Sequence, residues 1–166
     1  MKRFTILFLL FVFTKQLCAQ NSSVRSCGYL PAGKLKIYYC EQGAGPAVIL
    51  LHAGFLDMHI WDNQVDSLSK THRVILMDLP GHGQSGGIDT TIRIADVINQ
   101  LMKHLKVATA SFAGISLGAT CAVDFAIAYP EKTSKLVLLS PGLNGWEHVL
   151  KSDTISKRQF LRDDIF

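Results

Sequence analysis

Gly114-Ile115-Ser116-Leu117-Gly118 lies between an apolar run, Val107 to Ile115, and a helix-like stretch, Leu117 to Tyr129. The order of strand, turn and helix gives the pentapeptide its meaning. A serine held on so sharp a turn must adopt a strained backbone conformation. Residues two positions away on either side must be small, because the incoming strand and outgoing helix nearly touch. Gly114 and Gly118 meet that need. The helix that begins at Leu117 also points its positive end at Ser116. Ser116 is therefore a candidate nucleophile. The plainer alternative is a helix-capping serine in a Gly-rich turn.

Working outward, the same alternation recurs along the chain. Leu35, Ile37 and Tyr39 alternate within Lys34 to Cys40, as in a partly exposed strand. Ala47-Val48-Ile49-Leu50-Leu51 is a continuous apolar run, the pattern of a strand buried on both faces of a parallel sheet. Met58, Trp61, Val65 and Leu68 then recur at helical spacing behind Asp57, a candidate cap. Arg73 to Asp78 reads as a second buried strand. Leu79 to Gly87, with four glycines, reads as a loop. Ile94, Ile98, Leu101 and Leu105 line one face of a helix for which Thr90 or Thr91 is the expected cap. Val107 to Ile115 is the third strand. Leu117, Cys121 and Phe125 mark one side of a helix that Pro130 stops, and Leu136 to Leu139 is a fourth buried strand. This order predicts an α/β domain, a mostly parallel sheet with helices on both faces. Ligands of such sheets sit at the C-terminal strand ends. His52, Asp78, Ser116 and Ser140 all fall there.

Two of the loops at those ends carry candidate roles. His52-Ala53-Gly54-Phe55 follows the first buried strand. A backbone N–H from Gly54 or Phe55, paired with that of Leu117, would form an oxyanion hole, each donor contributing about 3 kcal/mol. His52 reads as a structural group that holds this loop, ahead of a general base. Asp78 reads as ordering the turn Leu79 to Ser85 by accepting backbone N–H bonds, ahead of a triad acid. His82 reads as structural, and His59, His72 and His104 as surface or partly buried residues. No cluster has metal-ligand spacing, and no cofactor is expected.

With 166 residues the prior is one domain. The formal charge of +4 has no long basic run behind it, which argues against a nucleic-acid partner. Met1 to Gln20 has a basic start, Lys2-Arg3, and an apolar stretch about a dozen residues long, Phe4 to Thr14, then small residues at the end. This is the pattern of a secretory signal cleaved after Ala19 or Gln20. The stretch is short for a membrane anchor, and Lys15-Gln16-Leu17 does not suit a lipoprotein. A secreted or periplasmic location is expected, with no stable membrane anchor after cleavage. Cys27 and Cys40 are nearly symmetric about the turn Pro31 to Lys34, which allows a hairpin disulfide, with two buried thiols as the alternative. Cys121 reads as core.

These motifs, in this order, resemble the α/β-hydrolase superfamily. Leu51-His52-Ala53-Gly54, then Trp61, then Asp78-x-x-Gly81-x-Gly83-x-Ser85, then Gly114-x-Ser116-x-Gly118, then Tyr129-Pro130-Glu131 are similar to its esterase, lactonase and C–C hydrolase branch. The resemblance implies an α/β-hydrolase fold and a small-molecule acyl substrate. It disfavours dehalogenase and epoxide hydrolase chemistry, since those relatives carry a carboxylate where Ser116 stands. It also implies a triad in the order Ser, acid, His. Pro141 to Asn144 offer no acid, His148 comes too early, and Asp153, Asp163 and Asp164 fall in a polar tail. The expected organisation is a signal peptide at 1–20, the N-terminal part of the hydrolase core at 21–142, and the start of a cap, or a truncated tail, at 143–166. A chain lacking triad acid and histidine reads as a fragment or truncated product of a serine hydrolase, with a non-catalytic binding module or a non-functional remnant as alternatives. The oligomeric state is left open.

Overall fold

The computed structural model describes residues 24–87, 89 and 91–142. The expected signal segment at 1–20, Thr90, and the tail at 143–166 with His148, Asp153, Asp163 and Asp164 lie outside the described residues.

Six strands form one sheet. β1 (Ser26–Ala32) and β2 (Leu35–Gln42) make an antiparallel hairpin in which Ala32 faces Leu35. The chain reverses through Gly33, whose φ of 63° suits a residue without a Cβ at the first turn position. Cys27 faces Cys40 across the hairpin, and a disulfide joins them. β2 then pairs antiparallel with β4 (Arg73–Met77), and the rest of the sheet is parallel, with β3 (Ala47–Leu51), β5 (Ala110–Ile115) and β6 (Thr133–Leu139). The spatial order is β1-β2-β4-β3-β5-β6.

The continuous apolar runs follow from this placement. β3 and β4 are central and covered on both faces, so Ile49, Leu51, Ile75 and Met77 point to one side and Leu50, Val74 and Leu76 to the other. The first side is covered by α2 (Ile94–His104) and α3 (Leu117–Ala128), through Ile98, Leu101, Cys121 and Phe125. The second is covered by a 3-10 turn (Met58–Trp61) that runs into α1 (Asp62–Leu68), through Met58, Trp61 and Val65. Phe112 and Phe125 meet with ring centroids 4.7 Å apart, which fastens α3 to β5. The far end of α3 is tied to α2 by two polar bonds: Tyr129 Oη donates to Asp96 at 2.6 Å, and Lys132 Nζ to Asn99 at 2.6 Å. No helix among the described residues is long and apolar enough to cross a membrane.

Four local expectations are adjusted. Asp57 caps as expected, accepting from His59 N–H at 2.9 Å, but the segment it caps opens as a 3-10 turn. Thr91 does not cap α2: the helix starts three residues later, and the Thr91 hydroxyl and N–H both donate to the Asp89 carboxylate, a stronger acceptor. The third strand begins at Ala110 rather than Val107. β6 is not buried on both faces. Among the described residues it is an edge strand, leaving Val137 57% and Leu139 47% exposed.

Alkylation mapped by mass spectrometry checks the hairpin. In the native, unreduced protein Cys27 and Cys40 stay unmodified, and Cys121 reacts only after unfolding, because burial pushes its thiol up to about 12. Full labelling of Cys27 and Cys40 without reductant would contradict the pairing.

Candidate active site

The connections create the site. From β3 the chain leaves over one face of the sheet, through α1, to reach β4. From β5 it leaves over the opposite face, through α3, to reach β6. β3 and β5 are neighbours, so the loops at their C-terminal ends part in opposite directions and open a crevice between them. The loop after β3 begins with His52, and the turn after β5 holds Ser116.

Ser116 has φ 51° and ψ −112°, left-handed backbone that costs a non-glycine residue about 1–3 kcal/mol. Its side chain is exposed. The distortion is held from both sides: Ser116 N–H donates to Leu139 C=O at 2.8 Å, and Ser116 C=O accepts from Thr120 N–H at 3.0 Å. The two glycines are required by contact. A Cβ on Gly114 would lie 2.5 Å from Ala119 N and from Gly118 C. One on Gly118 would run into the carbonyl oxygens of Leu51 and His52. The start of α3 is thus pressed against the end of β3. In the first turn of α3, the N–H groups of Leu117, Gly118 and Ala119 have no intrahelical acceptor.

Facing them is a turn, Ala53 to Leu56, closed by Leu56 N–H donating to Ala53 C=O at 3.3 Å. The amides of Gly54 and Phe55 are the two inside the turn and take no part in closing it. Gly54 borders α3 directly: a Cβ there would be in ordinary contact, 3.8 Å, with the Leu117 side chain. The structure therefore places Gly54 beside Leu117, the residue that follows Ser116, with Phe55 next in the same turn. Phe55 has φ 62° and is fully exposed.

The loop after β3 is fixed by two buried polar groups. His52 is 0% exposed. Leu79 N–H donates to His52 Nε2 at 2.9 Å, so the ring proton is on Nδ1, which donates to Ala53 C=O at 2.7 Å. Burial lowers its pKa and keeps it neutral. Both nitrogens are committed, which suits a structural role and leaves no lone pair for a proton from Ser116. Asp78 accepts from Met58 N–H at 2.9 Å and from Gln84 N–H at 2.8 Å. Gly83, with φ 51°, lies so close to that carboxylate that a Cβ would collide with it. Ser85 Oγ donates to Asp78 C=O at 2.7 Å and accepts from Tyr38 N–H at 2.9 Å. His82 Nδ1 donates to Pro80 C=O at 3.0 Å, and its ring lies 5.2 Å from that of His52. Asp78 and His82 thus order the Gly-rich loop, as expected.

Two features of the rim escape a reading by motif. Phe55 and Ser140 share the left-handed backbone of Ser116, Ser140 with φ 50°. Ser140 follows Leu139, the carbonyl that anchors Ser116, and leads to Gly142, whose carbonyl accepts from Thr120 Oγ1. The sequence Ser-Pro-Gly signals a turn there. Nothing in the residue type of Phe55 signals its conformation, because bulky residues avoid it.

Two measurements check the scaffold. Gly118→Ala is expected to lower stability by about 1–3 kcal/mol, the range for forcing atoms into a filled interior, in a denaturant titration; an unchanged midpoint would contradict the contact. His52 has a folded pKa below its unfolded value near 6.5, so the unfolded chain binds the extra proton first. Its contribution to stability is complete above about pH 6.5 and is lost as pH falls below it. The slope of unfolding free energy against pH in that window should flatten in His52→Gln, and an identical slope would contradict the buried neutral ring.

Comparison with known proteins agrees with this architecture. The family profile described as alpha/beta hydrolase fold matches residues 46–162. A 2-hydroxy-6-oxo-6-phenylhexa-2,4-dienoate hydrolase from Comamonas testosteroni is 35% identical over 120 residues, covering 68% of this chain and 42% of that protein. A pimeloyl-[acyl-carrier protein] methyl ester esterase from Nitrosomonas europaea is 34% identical over 98 residues, covering 59% of this chain and 38% of that protein. Among solved structures, the N-acyl homoserine lactone degrading enzyme Est816 aligns with a TM-score of 0.68 at 27% identity, over 82% of this chain and 52% of that one. The chain spans less than half the length of these curated relatives. With its sheet order, its turn at Ser116 and a family match over most of its length, the chain belongs to the alpha/beta hydrolase fold family.

Proposed function

We propose that this chain carries the nucleophile and oxyanion donors of a serine hydrolase acting on a small ester, lactone or related acyl substrate. The observation that supports this most is the strained, exposed Ser116 at the start of α3, near a turn whose Gly54 and Phe55 amides donate to no backbone carbonyl among the described residues. Ser116 Oγ attacks the acyl carbon and its proton passes to a general base. The carbonyl oxygen gains charge against Leu117 N–H and an amide of the facing turn, from Gly54 or Phe55. Collapse of the tetrahedral species breaks the bond to the leaving group, which takes the proton back from the base, and water then hydrolyses the acyl enzyme to the free acid and the Ser116 hydroxyl.

The base is expected from residues beyond Gly142, as the order Ser, acid, His implies. The imidazoles on the rim loops, His52 and His82, each donate a proton to a backbone carbonyl and serve the scaffold. Export to a secreted or periplasmic location is part of the proposal. The Met1 to Gln20 pattern supports it, and so does a Cys27–Cys40 bridge, which persists in oxidising compartments. The partner is a small molecule. Neither nucleic acid nor a retained membrane anchor belongs to this reading.

A fluorophosphonate probe on the full-length protein tests it. The adduct should map to Ser116 and vanish in Ser116→Ala, while the variant keeps its unfolding temperature. Labelling that survives the substitution, or none in the wild type, would overturn the reading. Ligand binding without turnover, unchanged by Ser116→Ala, would favour a non-catalytic binding module instead.

A further inference from the structure

We propose that Thr120 is a positioning residue for Ser116, its hydroxyl tying the turn after β6 to the helix that follows the nucleophile; this rests on the hydrolase reading above. β5 and β6 run side by side with Ile115 beside Leu139, so Ser116 and Ser140 leave the sheet as neighbours. Both have left-handed backbone, with φ 51° and 50°. Two hydrogen bonds join these exits. Ser116 N–H donates to Leu139 C=O at 2.8 Å, and Thr120 Oγ1 donates to Gly142 C=O. Gly142 lies against the threonine: a Cβ there would stand 3.5 Å from Thr120 Oγ1.

A helical threonine has an ordinary use for its hydroxyl, which is to donate back to the carbonyl four residues earlier. Here that carbonyl belongs to Ser116, 3.2 Å away, and it already accepts Thr120 N–H at 3.0 Å. Gly142 C=O is the nearer acceptor, and among the described residues no other hydrogen bond ties Pro141 or Gly142 to the core. A hydroxyl has one proton to donate, and the carbonyl outside the helix gains most from it. The effect reaches Ser116 through one peptide unit. Leu139 C=O, the acceptor for Ser116 N–H, shares its peptide plane with the nitrogen of Ser140. Pro141 has a fixed φ, so little freedom remains between Ser140 and Gly142. Left-handed backbone at a non-glycine residue persists only where its surroundings hold it. With Gly142 pinned by Thr120, Ser140 stays in that conformation and the Leu139 carbonyl stays aimed at Ser116. Without the pin Ser140 relaxes, the Leu139–Ser140 peptide turns with it, and Ser116 N–H loses its acceptor.

The test uses the full-length protein with Thr120→Val, which removes the hydroxyl and keeps the shape, and Thr120→Ser, which keeps the hydroxyl and removes the methyl. One readout is the rate of Ser116 modification against the concentration of a fluorophosphonate probe. The other is hydrogen exchange at the Ser116 amide. Thr120→Val is expected to lower the maximal modification rate about 10-fold, the scale of one hydrogen bond. The half-saturating probe concentration should change less than about 2-fold, the pattern of a group that acts on the reacting atoms rather than on binding. Exchange at Ser116 should speed up about 10-fold in the same variant. Thr120→Ser should stay within about 2-fold of the wild type in both readouts. An unchanged maximal rate or unchanged exchange in Thr120→Val overturns the proposal. So does an equal defect in Thr120→Ser, which would make the methyl, and hence packing, the operative part. A wild type that fails to react with the probe counts against the hydrolase reading itself; exchange at Ser116 then decides the tie between the two turns, and an unchanged rate in Thr120→Val overturns it.

Discussion

The close approach of two backbones, the start of α3 and the end of β3, is the constraint from which the rest of the site follows. Gly118 fits against the carbonyls of Leu51 and His52, and Gly114 fits against the backbone of Gly118 and Ala119. Any side chain at either position would separate helix from strand. That separation would carry Leu117 N–H away from the turn at Ala53 to Leu56 and let Ser116 relax from its left-handed conformation. The strain at Ser116 is therefore maintained by packing that extends well beyond the serine. Phe112 and Phe125 hold α3 to β5, and the bonds from Tyr129 and Lys132 to α2 hold its far end.

A second set of restraints fixes the other wall of the crevice. His52 bridges the loop after β3 to the loop after β4, with one nitrogen on Leu79 N–H and the other on Ala53 C=O. Asp78 bridges the same two regions through Met58 and Gln84. These groups are buried or nearly so, and each satisfies backbone donors that would otherwise be orphaned. Their chemistry resembles that of catalytic residues, but their geometry shows them spent on holding the loops. What they leave exposed are the side chains of Ser116, Phe55 and Ser140 at the rim.

Most of this was legible in the residues, for identifiable reasons. Apolar runs such as Ala47 to Leu51 are diagnostic when both faces are covered, and the glycines around Ser116 are diagnostic when backbones touch. The hairpin was readable from Cys27, Cys40 and Gly33 together. The failures are also physical. Leu136 to Leu139 has the composition of a central strand, but burial depends on neighbours that composition does not reveal. Thr91 resembles a cap, yet Asp89 two residues earlier competes for its hydroxyl. The conformation of Phe55 is imposed by the turn against the residue's own preference, so its type gave no hint of it.

The most direct measurement is a crystal structure of the full-length protein after reaction with a phosphonate. A phosphorus–Oγ bond at Ser116, with the phosphoryl oxygen about 3 Å from the N–H of Leu117 and from an amide of the Gly54–Phe55 turn, is the predicted result. An unmodified Ser116, or an adduct whose oxygen faces solvent away from those amides, would contradict the account.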